Sequence, residues 1–311
     1  MLTAVTLGPK KQGLRALSFA AVHGLLIVGA LAAGGDVPPR QADSQATIAR
    51  LHAPTEGAVL VRGGLVQIGS DVHEIAQAQR MCRDELRREA CATTLFADEM
   101  LVHDVVLSDY WLDRTEVTSE AYRRCVEVGA CSWPSDPGTL RWTANPTHPA
   151  TLVTWFDAER YCRWRGARLP TEAEWERAAR GVQRRTFPWG QIYGPLLSNH
   201  GRAAANDLDR LDDTDGFGEL APVASFPAAR TVEGIDDLAG NVEEWVADWY
   251  AEGYAEPELR DPKGPTAGDY RVLRGGSFLD GRAWLRGAHR HKDLPGQSHP
   301  WVGFRCAATA R

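Results

Sequence analysis

Asp237, Asn241, Glu243 and Glu244 put four oxygen-bearing side chains within eight positions, inside the run G-I-D-D-L-A-G-N-V-E-E-W-V-A-D-W-Y from Gly234 to Tyr250. Grouped oxygens of this kind can hold a metal ion. The glycines between them open backbone turns closed to other residues. R-V-L-R-G-G-S-F and V-G-F-R-C follow, and Trp245, Trp249 and Phe278 add large surfaces able to lock such turns in place. Cysteine is the other reactive type. The chain has 6, an even number, and the spacing suggests short-range pairs Cys82–Cys91 and Cys125–Cys131, leaving Cys162 and Cys306. Joining those two closes a loop around the C-terminal half, worth about 4–5 kcal/mol in the chain-entropy model. No C-x-x-C pair or close Cys–His cluster supports a zinc site. With all six bridged, no thiol is left for chemistry.

Composition narrows the partners. A formal charge of −6 over 311 residues argues against nucleic acid, which calls for a concentrated basic patch. Arginines are frequent over 160–185 but interleaved with glutamates, which reads as a solvated helix face. With 43% hydrophobic residues and 11 tryptophans, aromatic bulk can stand in for regular secondary structure as a source of burial. Lys10, Lys11 and Arg15 precede an apolar run from Ala16 to Ala33 that ends near the small-x-small triplet Ala30-Leu31-Ala32. Residues 1–33 therefore read as a signal peptide, or as an uncleaved membrane anchor given the length of the run. Either implies export to the periplasm or outside, with the anchor giving a membrane tether. Residues 34–57 are polar and proline-containing, a flexible linker, and the folded domain is expected over 58–311.

Three helices should position the later loops. Thr118 or Ser119 caps the first, with Ala121, Tyr122, Cys125 and Val126 on its apolar side and Gly129 at its end. Thr154 with Asp157 starts the second, which buries Ala158, Tyr161 and Cys162 and stops at Gly166. Thr171 with Glu174 forms a capping box for the third, with Trp175, Ala178 and Ala179 inward and Gly181 at the end. A strand, a turn and a second strand are expected from Val59 to Ser70, and further strands over Val102–Leu107 and Asp109–Asp113. Residues 73–97, carrying Cys82 and Cys91, read as a partly helical insertion. Beyond Phe187, helix signals vanish for roughly 120 residues, a length that calls for loops held by metal ions and a disulfide.

Seven motifs occur in order: R-L-P-T-E-A-E-W-E (Arg168–Glu176), F-P-W-G (Phe187–Gly190), D-G-F (Asp215–Phe217), A-P-V (Ala221–Val223), L-A-G-N-V-E-E-W (Leu238–Trp245), R-G-G-S-F (Arg274–Phe278) and G-F-R-C (Gly303–Cys306). On these the chain resembles the formylglycine-generating-enzyme, or sulfatase-modifying-factor, superfamily from about Val59 to Arg311. The resemblance implies one α+β domain related to C-type lectins, low in regular secondary structure, with long loops held by calcium and disulfides. It implies two structural calcium sites. One would use the side chains of Asn199 and Asp215 with the carbonyls of His200 and Phe217; the other would use Asp237 and Glu244 with the carbonyls of Gly240 and Val242. That mix of oxygens suits Ca²⁺, although the same carboxylates could simply cap turns. The family's long-range disulfide maps onto Cys162–Cys306.

The chain departs from the family at the chemistry. Copper-dependent members bind Cu(I) through two thiolates just after G-G-S-[FY], and those positions are Asp280 and Leu285 here. No copper is therefore expected, and the chain resembles the branch lacking the catalytic cysteines. The cleft implied by the resemblance would be lined by Ser277, Asp280, Arg282, Trp284, Arg286 and His289. Arginines beside a tryptophan can engage the carboxylate, backbone or sulfate of a peptide, protein or small-molecule ligand. His289 and His291 share a face if the segment is a strand, but two imidazoles make a poor metal site and read as cleft-lining or surface residues. The expected function is an exported, calcium-stabilised binding or accessory module. The alternative is a metal-dependent oxidoreductase of the same superfamily acting on a peptide or small molecule.

Overall fold

Strand β5, Glu243–Trp249, runs through the middle of the fold with five of its seven residues buried. Successive strand residues point to opposite faces, and both faces of β5 meet a core. Trp245 enters one hydrophobic cluster with Tyr122, Tyr161, Leu273 and Phe304. Val246 enters the other with Ile68, Val105, Trp175 and Ile235. A strand buried on both sides has no polar–apolar alternation, so period-two patterning does not announce it in the sequence.

The computed structural model describes residues 57–86, 91–92, 94–134, 145–202, 210–254 and 259–310, all within the unit Ala42–Arg311. The expected signal peptide or anchor, and nearly all of the expected linker, lie outside the described residues. The elements are β1 (Ala58–Val61), β2 (Gly64–Ile68), α1 (Val72–Glu85), β3 (His103–Leu107), β4 (Tyr110–Asp113), α2 (Ser119–Glu127), α3 (Trp155–Trp164), α4 (Glu172–Arg180), β5, β6 (Arg271–Arg274), β7 (Arg290–Asp293), β8 (Val302–Phe304) and β9 (Ala307–Thr309). This is the mixed, loop-rich α+β domain that was expected.

The strands form three small sheets, β1-β4-β9, β2-β3 and β7-β6-β5-β8. The strand–turn–strand near Val59 is present, but its two strands do not pair with each other. β1 pairs antiparallel with β4 and β2 with β3, so the turn hands the chain from one sheet to another. In the four-stranded sheet β5 is antiparallel to β6 and parallel to β8.

The three expected helices start at their expected caps, with Thr118, Thr154 and Thr171 each accepting from a backbone amide three residues on. Asp71 and Glu74 make a further capping box at the start of α1, and Cys82 near its end is tied to Cys91. The helix expected over Glu172–Arg180 forms, but its arginines and glutamates are not a solvated face: all nine residues of α4 are buried. Glu176 sits between Arg180 (2.9 Å) and Arg274 (2.7 Å), and Glu172 takes a two-pronged bond from Arg290 (2.6 and 2.9 Å). The interleaved charges thus pair inside the protein rather than in water. Arg160 and Arg163 of α3, by contrast, do make exposed contacts.

All three disulfides form as spacing and resemblance implied: Cys82–Cys91, Cys125–Cys131 and Cys162–Cys306. The last ties α3 to the chain just before β9 across 144 positions and is buried in the first core. No free cysteine is left. Such bridges persist in oxidising compartments. Among the described residues no helix is long and apolar enough to cross a membrane.

Candidate functional site

Gly275 and Gly276 follow β6 with φ of 99° and 66°, turning the chain into the loop that leads to β7. A Cβ on Gly276 would fall 2.9 Å from the Trp284 carbonyl oxygen, so the turn admits only glycine. Just beyond it, Ser277 is fully buried, and its amide (2.9 Å) and hydroxyl (2.7 Å) both donate to Asp280 Oδ2. Asp280 Oδ1 pairs with Arg210. Burial, with the neighbouring Glu243 charge, raises the Asp280 carboxyl above the usual carboxylate range, against the pull of Arg210. Leu285 points into the protein, fully buried with Phe187 and Ala239. Of the two positions at which thiolates were looked for, Asp280 is thus an ion-paired carboxyl group at the cleft, and Leu285 is core.

Above this loop lies a cleft of about 760 Å³ whose lining includes Phe96, Tyr250, Asp280, Trp284, His289 and Trp301. It therefore contains three of the six residues expected there. Ser277 lies behind Asp280. Arg282 does not line the cleft because it bonds Asp84 (2.5 Å) and lies 3.3 Å from Glu85 on α1. Arg286 is withdrawn too, clamped on buried Glu99 at 2.6 and 2.8 Å. This pairing offsets the cost of burying Glu99 and drives its pKa far below the usual carboxylate value. His289 Nδ1 lies 3.4 Å from the same carboxylate. The two arginines that suggested a ligand-binding edge are instead rivets: Arg282 holds the Cys82–Cys91 insertion to the site, and Arg286 holds Glu99 just beyond it.

Sequence reasoning missed the cleft's main charge pair. His291 Nδ1 lies 3.0 Å from Glu243, and the glutamate charge raises the pKa of this half-exposed imidazole to about 9. Glu243 in turn is held below its ordinary value, the His291 charge outweighing burial. The two residues sit on β7 and β5 with β6 between them, and only the strand register brings them together.

The two expected metal loops are assembled in part. Asn199 gives its amide hydrogens to the Glu219 carbonyl (2.8 Å) and Asn241 Oδ1 (2.9 Å), while its own buried Oδ1 has no hydrogen-bond partner among the described residues. Asp215 accepts from the amides of His200 (2.7 Å) and Phe217 (2.8 Å), so it caps the turn it was expected to ligate. In the second loop Gly240 packs so tightly that a Cβ would lie 2.1 Å from the Asn199 carbonyl oxygen, which joins the two loops back to back. Glu244 is committed elsewhere: both its oxygens bond Arg305 at 2.7 Å and one also accepts from Trp175 Nε1 at 2.9 Å. A residue absent from the expected set, Glu116, instead faces Asp237. Among the described residues no hydrogen-bond partner is placed on buried Glu116 Oε2, burial raises the Asp237 carboxyl to about 6, and burial with the Asp237 charge raises Glu116 well above its ordinary value. No three His, Cys, Asp or Glu side chains are grouped to hold a metal among the described residues. A cation here would need backbone carbonyls and Asn199 as well.

The chain belongs to the family described as "Sulfatase-modifying factor enzyme 1-like domain", which matches residues 44–310. It is 39% identical over 168 residues to the formylglycine-generating enzyme of Bos taurus, covering 52% of this chain and 44% of that protein. It is equally 39% identical over 168 residues to the inactive C-alpha-formylglycine-generating enzyme 2 of Mus musculus, covering 52% of this chain and 49% of that one. The chain thus spans about half the length of these curated relatives. Its fold is similar to the structure of PvdO from Pseudomonas aeruginosa, with a TM-score of 0.63 and 24% identity over 81% of this chain and 94% of that chain.

Proposed function

We propose that this is an exported, calcium-stabilised binding or accessory domain whose cleft takes a peptide segment or small molecule, and that it does not use copper-thiolate chemistry. The observation that carries this reading is the fate of the two thiolate positions: Asp280 is tied to Ser277 and Arg210, Leu285 is sealed in the core, and every cysteine is in a disulfide. Neither side chain offers the soft sulfur that Cu(I) selects. The relatives span both an enzyme and a protein named inactive, so the family alone does not decide between them.

Calcium is supported by the orphaned oxygens of Asn199 and Glu116 and by the Glu116–Asp237 carboxyl pair, buried groups that a hard cation would satisfy. Bound there, calcium would fix the loops beneath the Gly275–Gly276 turn; Asn199, Glu116 and Asp237 would supply side-chain oxygens. The disulfides support export, with residues 1–33 as signal or anchor. In the cleft, protonated His291 is suited to hold an anionic group, with Trp284 and Trp301 flanking an apolar body. Competition for Cu(I) against a chromogenic chelator tests the reading: the protein should leave the metal with the chelator, and retention of one tightly held equivalent would overturn it.

A further inference from the structure

A second cavity, of about 260 Å³, lies beside the cleft, with Arg290 lining both and its partner Glu172 lining the smaller one. Ile68, Trp249, Tyr254, Pro262 and Pro265 give it mostly apolar walls, and Asp248 is on its lining beside Gly264, where an added Cβ would lie 2.9 Å from Oδ1. Asp248 is 3% exposed. Its Oδ2 accepts one hydrogen bond, from the Glu172 amide at 2.7 Å, and among the described residues Oδ1 has no partner and no ion pair reaches the group. Every other acid in this neighbourhood is matched: Glu172 has Arg290, Glu174 has Arg168, and Glu176 has Arg180 and Arg274. A buried carboxyl group without a cation, in a room large enough for a small molecule, marks a site whose missing partner is a ligand.

We propose that this cavity binds a small organic ammonium ion, its charged nitrogen on Asp248 and its apolar body against Ile68, Tyr254 and the two prolines. A metal ion fits poorly, since one carboxylate among apolar walls does not make the oxygen shell a hard cation needs. An anion would meet Asp248 and Glu172, and the only guanidinium on the wall among the described residues, that of Arg290, is already spent on Glu172. The inference is independent of the reading of the cleft, because it uses neither Asp280 nor His291.

Benzylamine is a suitable probe, with benzyl alcohol as its uncharged counterpart. Calorimetry on the full chain at pH 7 should show saturable one-to-one binding of benzylamine and at least tenfold weaker binding of the alcohol. Asp248→Asn should fold and weaken benzylamine at least tenfold, while Asp280→Asn in the cleft should leave it unchanged. A readout that needs no variant is proton release. Burial and the charges of Glu172 and Glu174 hold the Asp248 proton up to about 8, with Arg290 opposing. His103 also faces the cavity, from β3. Binding of the ammonium form should therefore expel close to one proton at pH 7, measured in buffers of differing ionisation heat. Absence of saturable binding at millimolar benzylamine, equal binding by Asp248→Asn, loss in Asp280→Asn, or no proton release would each overturn the proposal.

Discussion

Arg210 closes an ion pair on Asp280, in the loop that follows β6. Arg210 also donates to the Leu279 carbonyl at 2.8 Å, so the guanidinium pins both the side chain and the backbone of the loop. Asp280 is thereby fixed in the wall of the cleft.

Removing the long disulfide should be costly. Cys162–Cys306 spans 144 positions, and the chain-entropy model gives such a closure roughly 5 kcal/mol. Cys162→Ser/Cys306→Ser should lower the denaturant midpoint accordingly, read by tryptophan fluorescence. In the unmodified protein, thiol titration after denaturation without reductant should find no reactive cysteine.

Arg305 and Glu244 are both fully buried and joined by two 2.7 Å bonds. Replacing Arg305 by Met leaves a buried carboxylate unpaired, which costs about 3–5 kcal/mol. The loss should appear in urea unfolding. A midpoint within error of the parent would remove this pair from the account of what holds β5 to the C-terminal strands.

The two displaced titrations give opposite mutants. Asp248 holds its proton to about 8 when folded, against about 4 in an unfolded chain, so the folded state is favoured at low pH and loses stability as pH rises between those values. Asp248→Asn should remove that loss, melting higher than the parent at pH 8.5 with a smaller difference at pH 5.

His291 is a base with a raised value of about 9, so its bond to Glu243 contributes fully below about pH 6.5 and is lost as pH rises through 9. His291→Gln should melt lower than the parent at pH 6, and the gap should close by pH 9.5. Thermal melts across pH distinguish the two residues by the sign of the difference.

Much of the scaffold was legible in the residues because its signals are local. The Thr154 and Thr171 capping boxes, the helix-ending glycines and the short cysteine spacings each act over a few positions, and they gave three helices and the two short bridges, while Cys162–Cys306 followed as the remaining pair and from the family resemblance. What could not be read was set by pairing between distant elements. Arg177 and Arg180 looked solvated because a helix sequence does not reveal that Glu233, Glu176 and Arg274 will meet it inside the core. Arg282 and Arg286 looked free for ligand because their partners, Asp84, Glu85 and Glu99, lie about 200 positions away. Glu116 was overlooked beside Asp237 for the same reason, and the His291–Glu243 pair exists only through the register of a sheet whose strands are far apart in sequence.

Calcium should be part of the folded state. EDTA should lower the melting temperature, and excess Ca²⁺ should restore it by mass action. Glu116→Gln should shrink the calcium-dependent shift, whereas a melt indifferent to EDTA would leave Glu116 and Asp237 as a proton-sharing pair.

The most direct test of a calcium-ordered binding domain without copper-thiolate chemistry is the elemental content of protein purified without chelators, measured alongside oxygen uptake with a thiol-bearing peptide. Stoichiometric calcium, no stoichiometric copper or iron, and no oxygen uptake are expected. One equivalent of copper or iron together with oxygen consumption would contradict the account.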